Sequence, residues 1–229
     1  MAESHIGGVT LGPLTMTAHA VTRTNHSIPY LLGAARNSRL VGQVESANSG
    51  QEFGNFWEEM RDHAVSCVLL ADAAIESYAN ELFGDASRLF PQQFLAGLDL
   101  LWDELEKRKS SLEKLDLALT LRNKPKLDRK LPLLKAIHAL GRLRNELTHF
   151  KPEWSHQQKK QLNVSSDLAG HFQPNQWMQN ESIFPRAWVG HSFTVWAVNT
   201  TVEFLKHFEA QADLIDRTAW QDFHSRLAP

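Results

Sequence analysis

Residues 131–150, LPLLKAIHALGRLRNELTHF, have the periodicity of an amphipathic α-helix. At about 100° per residue, one arc of this helix collects the apolar side chains: Leu133, Ala136, Ile137, Leu140, Leu143, Leu147 and Phe150. Arg144 falls inside the same arc. A guanidinium group keeps its proton and is costly to bury without a partner. An arginine on the buried side of a long helix therefore needs an ion-pair partner or a functional role.

The last turns of this helix carry side chains that suit a functional site. Asn145 and His149 are four residues apart, so they share a face and the amide can brace the imidazole. Arg144 and His149 are five apart, roughly 140° around an ideal helix, and they converge where the helix loosens. Pro152 favours such loosening, because residues just before a proline tend to leave the α region.

Arg144, Asn145 and His149, late in a helix and followed by Phe-Lys-Pro, resemble the Arg-Asn-x-x-x-His motif of the HEPN superfamily. The resemblance implies an all-α domain that acts as a metal-independent endoribonuclease. It also implies a homodimer in which two motifs face one cleft. The resemblance further implies a role in defence or a toxin-like role.

A second helix is predicted over 51–83, and its latter half resembles the HEPN helix that packs beside the motif helix. There Glu76 and Asn80 are four apart on one face, and Glu76 is the candidate partner of Arg144. The candidate catalytic residues are therefore Arg144, Asn145, His149 and Glu76.

Further residues are candidates for binding RNA. The run 122–130 is basic and contains Pro125, so it is either a solvated connection or a lip that binds phosphate. His138 lies eleven residues before His149 on the same side of the helix, facing either the cleft or solvent. The predicted substrate-binding residues are Lys124, Lys126, Arg129, Lys130, Asn80 and His138.

These residue types suit cleavage of RNA by its own 2′-hydroxyl. The reaction needs a group that moves protons and a cation that stabilises charge on the phosphorane. His149 suits the first task because imidazole titrates near neutral pH, and Arg144 suits the second because its planar fork matches two phosphate oxygens. The resemblance implies a 2′,3′-cyclic phosphate product. A twofold dimer would supply a second histidine for the other proton transfer.

Composition limits the class of protein. The net charge of −2 argues against a broad electrostatic nucleic-acid binder but allows a local basic cleft. The single cysteine, Cys67, excludes a Cys-rich zinc module, and we expect it to be a buried small hydrophobe in a cytoplasmic protein. The N-terminus lacks the pattern of a secretion signal, and no run reaches the ~18 apolar residues of a membrane span. We expect no metal and no cofactor.

The predicted architecture is an antiparallel bundle of four or more helices. Residues 1–48 are predicted to be an extended, β-like N-terminal extension, with a hairpin near residues 12–13 and a short helix within 31–44. Residues 49–229 form the HEPN-like domain, with a long irregular insertion at 151–184 that contains one short helix. The other predicted helices span 94–107, 110–121, 186–213 and 219–227, the second of them opened by a Ser110–Glu113 capping box.

A non-catalytic reading stays open beside the nuclease. Arg144 would then form a salt bridge to Glu76 inside the bundle, and Asn145 and His149 would cap the helix C-terminus, where the helix dipole favours an imidazolium. The N-terminal extension and the long loop would bind a protein partner or inhibitor.

Overall fold

The structure, a computed structural model, describes residues 24–152, 159–215 and 217–229. These residues form α-helices and no strand, which confirms the predicted all-α fold. No helix in this part of the chain is long and apolar enough to cross a membrane. Nine α-helices are present among the described residues: α1 Ser27–Ala47, α2 Phe56–Gly84, α3 Ala86–Leu89, α4 Leu95–Arg108, α5 Ser111–Leu121, α6 Pro132–Thr148, α7 Lys159–Leu168, α8 His191–Gln211 and α9 Trp220–Leu227.

Helix α1 occupies a stretch where the sequence predicted an extension with at most a short helix. Its buried positions are mostly small side chains, so its apolar periodicity is weak in the sequence. These small residues let α1 lie close to α2, and a Cβ on Gly33 would come within 3.0 Å of Leu70 Cδ1. Residues 1–23, which include the predicted hairpin, lie outside the described residues.

Helix α2 is the central helix and contacts α1, α5, α6 and α8. Helix α1 runs antiparallel to it, since Glu81 near the end of α2 accepts a 2.8 Å hydrogen bond from the backbone N–H of Ser27. Helix α8 runs in the same direction as α2. Cys67 contacts the Thr194 carbonyl near the beginning of α8, and the Tyr78 hydroxyl donates to Glu209 near its end at 2.9 Å.

Two apolar clusters fix α6 along α2. Leu140 and Leu143 pack in the first, together with the early part of α2 and Trp188. Leu134 and Ile137 pack in the second, with the later part of α2 and the end of α8. Helix α6 is thus antiparallel to α2, and its outer face stays open along the groove described below. Cys67 is fully buried, as predicted, and burial raises the pKa of its thiol to about 12.

Local sequence signals explain where helices α5 and α6 begin. Helix α5 begins with the predicted capping box, in which Ser110 Oγ accepts from the Glu113 N–H and Glu113 accepts from the Ser110 N–H. Helix α6 has a proline at its first turn and ends at Thr148. The insertion predicted at 151–184 contains one helix, α7 at Lys159–Leu168, and the stretch before the next long helix extends to residue 190. Helix α8 begins at His191, after the extended Gly190.

Candidate functional site

An open groove of about 1290 Å³ runs along the outer face of α6. Helix α2 lines one side of it and the beginning of α5 lines another, while residues 166–171, at the end of α7 and just after it, lie at the far end. His138, Arg142, Arg144 and Asn145 of α6 all line this groove. With Glu76 of α2 and Arg129, the structure therefore brings three predicted catalytic residues and two predicted substrate-binding residues onto one concave surface.

Arg144 is held at the groove by two neighbours. Its Nε lies 3.1 Å from Asp72 Oδ2 of α2, and its Nη1 donates a 3.1 Å hydrogen bond to Asn145 Oδ1. The side chain of Arg144 is 33% exposed, and that of Asp72 is 26% exposed. Nη2 has no protein acceptor within the described residues. Arg144 is thus fixed through Nε and Nη1, and its side chain lines the groove.

Asp72 is the ion-pair partner of Arg144, although the sequence predicted Glu76 in that role. Glu76 lies one turn later on α2, is exposed and also lines the groove. The prediction that Glu76 pairs with Arg144 is corrected, since the offset between α2 and α6 sets Asp72 opposite the guanidinium. Burial raises the pKa of the Asp72 carboxyl, Arg144 lowers it, and the charge of Glu76 raises it further.

His149 sits at the C-terminal cap of α6. Its backbone N–H donates to the Asn145 carbonyl at 2.9 Å, while its side chain is exposed. The backbone leaves helical geometry at His149, with φ −121° and ψ 35°, as expected near Pro152. His149 lies just beyond the residues that line the groove, so a single chain does not bring its ring and the Arg144 guanidinium onto the same lining.

Two of the six predicted substrate-binding residues line the groove, His138 and Arg129. Arg129 donates to Asp116 Oδ2 at 2.6 Å, and its Nη1 is buried without an acceptor among the described residues. Partial burial lowers the pKa of His138, and the positive charges of Arg129 and Arg142 lower it further.

The other four predicted substrate-binding residues lie outside the lining of the groove. Lys124 forms a salt bridge with Asp213, and Asn80 Oδ1 accepts a 2.8 Å hydrogen bond from the buried Lys114 Nζ. Lys126 and Lys130 are exposed. The basic run therefore bonds partly to the protein itself, through Lys124 and Arg129, and no continuous phosphate lip forms.

Sequence reasoning missed the carboxylates that hold the arginines of this region. Asp72 holds Arg144, Asp116 holds Arg129 and Asp167 holds Arg142. The signal for Asp72 was present, because it lies four residues before Glu76 and so shares its face of α2. The described residues contain no group of three or more His, Cys, Asp or Glu side chains that is arranged to hold a metal ion.

Comparison of the chain with models of known protein families, with curated proteins and with solved structures finds no match. The site is therefore interpreted from its own geometry and chemistry.

Proposed function

We propose that the protein is a metal-independent endoribonuclease that resembles the HEPN superfamily and cleaves RNA at a cleft shared by two copies. The observation that carries this proposal is the half-buried Arg144, which lines a groove and is braced by Asp72 through Nε and by Asn145 through Nη1. A braced guanidinium loses little side-chain freedom when it binds a phosphate.

The proposed reaction begins when the RNA 2′-oxygen attacks the adjacent phosphorus. As the new P–O bond forms, the bond from phosphorus to the 5′-oxygen breaks, which leaves a 2′,3′-cyclic phosphate and a free 5′-hydroxyl. One histidine accepts the proton of the 2′-hydroxyl, and another donates a proton to the leaving 5′-oxygen. Arg144 stabilises the charge on the phosphoryl oxygens, and Asp72 and Asn145 orient Arg144.

His149 would perform one of these proton transfers, and its exposure at the end of α6 supports a site completed by a second copy. One chain does not bring its ring into the groove of the same chain. A twofold contact that joins the two α6 ends would add the partner's histidine to each groove.

A second candidate function, a non-catalytic binding module, is favoured by the charges around Arg144. Asp72 pairs with Arg144, and Glu76 and Glu146 also line the groove on neighbouring turns of α2 and α6. Such a site repels a phosphodiester and suits a protein partner or inhibitor that carries both charges.

Cleavage of total RNA in EDTA distinguishes the two functions. We expect the wild type to cleave and Arg144→Ala and His149→Ala to lose cleavage by a factor of about 10² or more. Arg108→Ala and His224→Ala are matched controls, because both side chains are exposed and lie outside the groove. Products should end in a 2′,3′-cyclic phosphate. If folded wild-type protein leaves RNA intact, the binding module replaces the nuclease.

A further inference from the structure

The charges in the groove are unevenly distributed along α6. Around Arg144 the lining is mainly acidic, whereas the part lined by the first turn of α5 and the earlier turns of α6 is rich in cations. The basic side chains of this part, called the cationic end below, are Lys109, Arg129, Lys135, Arg142 and His138.

Arg129 links the α5 side of the cationic end to the α6 side. Arg129 reaches α5, where it donates to the Leu112 carbonyl at 3.5 Å and to Asp116. Its positive charge also acts on His138 of α6, as does that of Arg142. Both arginines therefore lie near His138, and all three side chains line the groove.

Neighbouring carboxylates neutralise this patch incompletely. Glu113 bonds Lys109 at 3.0 Å, and Asp167 pairs with Arg142. Lys135 is exposed, lines the groove and forms no salt bridge within the described residues. Lys135 and Arg129 thus leave an excess of positive charge in the part of the groove that His138 lines, which suits an anion.

We propose that the cationic end binds a phosphate group of the RNA on one side of the scissile bond, through Lys135, Arg129 and His138. This subsite rests on the proposed nuclease function and extends it, because it fixes where the strand lies along α6. His138 and Asn145 share a face seven residues apart, roughly 10 Å along the helix. The bound phosphate is therefore separate from the one that Arg144 contacts, and the subsite aligns the strand before cleavage.

Binding of a short 2′-O-methylated oligonucleotide tests the subsite without cleavage, since that ligand lacks the attacking hydroxyl. We expect Lys135→Gln to bind it several-fold more weakly and to lower the slope of log K against log salt by about 0.7, the value for one phosphate contact on a single strand. Lys107→Gln, an exposed lysine outside the groove, is the matched control and should bind like the wild type.

A second measurement uses inorganic phosphate and the NMR titration of His138, assigned through His138→Gln. Phosphate should raise the pKa of His138 in the wild type, and Lys135→Gln should weaken that response.

Equal oligonucleotide binding in Lys135→Gln and wild type, or the same response to phosphate in both, overturns the subsite. If cleavage then persists, the nuclease survives without the subsite. If Lys135→Gln weakens binding but no variant or wild-type protein cleaves RNA, the anion site is supported and the nuclease proposal is contradicted.

Discussion

The pair of Arg144 and Asp72 links the proposed chemistry to stability. Burial makes the ionised form of Asp72 costly, and Arg144 offsets part of that cost. Because the pKa of Asp72 is raised above its ordinary value of 3.8, the folded state holds the proton more tightly than the unfolded chain. This carboxyl therefore favours folding most at low pH, and its contribution is lost as the pH rises through the folded-state pKa.

Arg144→Ala is expected to destabilise the protein at pH 7 by about 1 kcal/mol, because it leaves the half-buried Asp72 charge without its partner. The loss should shrink as the pH falls and Asp72 takes up a proton. Urea unfolding at pH 7 and at acidic pH measures the effect. Adding Asp72→Asn to Arg144→Ala should remove most of the pH dependence. A loss that is equal at both pH values would contradict the assigned pairing.

The sequence predicted that Arg144 needs a partner but did not identify which carboxylate it would be. Asp72 and Glu76 lie on the same face of α2, one turn apart. The choice between them depends on how far α6 is shifted along α2, and packing of Leu134, Ile137 and Leu140 between other helices sets that shift. Periodicity gives each helix its buried face and leaves the axial offset undetermined.

Helices α5 and α1 show which helices can be predicted from the sequence. Helix α5 was predicted within a residue of its bounds, because Ser110 and Glu113 form a local signal that needs no tertiary contact. Helix α1 was predicted largely as an extension, because its stability depends on close packing of small residues against α2. A local signal such as a capping box can therefore be found in the sequence, whereas a helix of small buried residues can be recognised only from its packing in the structure.

The capping box of α5 gives a direct test of that local signal. Ser110→Ala should lower the free energy of unfolding by about 1 kcal/mol, because the Glu113 N–H loses its acceptor. The neighbouring Ser111→Ala is the matched control and should change stability little. Backbone and side-chain hydrogen bonds from Ser110, and then Lys109, lower the pKa of Glu113 to about 2. Its contribution to stability is thus present above the ordinary value of 4.5 and lost as the pH falls toward about 2.

A buried carboxylate joins α8 to the C-terminal residues. Glu209 accepts hydrogen bonds from the Tyr78 hydroxyl at 2.9 Å, from Thr218 at 2.6 Å and from Trp220 Nε1 at 2.7 Å. Glu209→Gln should destabilise the protein by about 1–3 kcal/mol, because the bonds to a charged acceptor are replaced by weaker bonds to a neutral amide. Glu203→Gln, exposed on the same helix, is the control. Hydrogen exchange in α9 should rise in Glu209→Gln alone, and unchanged exchange would show that α9 is held by other contacts.

The arrangement of helices gives each chain a braced arginine within a groove and an exposed histidine beyond it. If two copies complete each other's site, Arg144→Ala and His149→Ala proteins should each be inactive alone. After mixing and subunit exchange, one of the two clefts of the mixed dimer contains Arg144 of one chain and His149 of the other, whereas every cleft of the parent dimers lacks either the arginine or both histidines. Part of the cleavage should therefore return, limited by the single histidine that this cleft keeps. Sedimentation must show dimers, and Arg144→Ala mixed with Arg144→Ala is the control. Recovery would fail if each cleft took both residues from one chain, because neither cleft of the mixed dimer would then be intact.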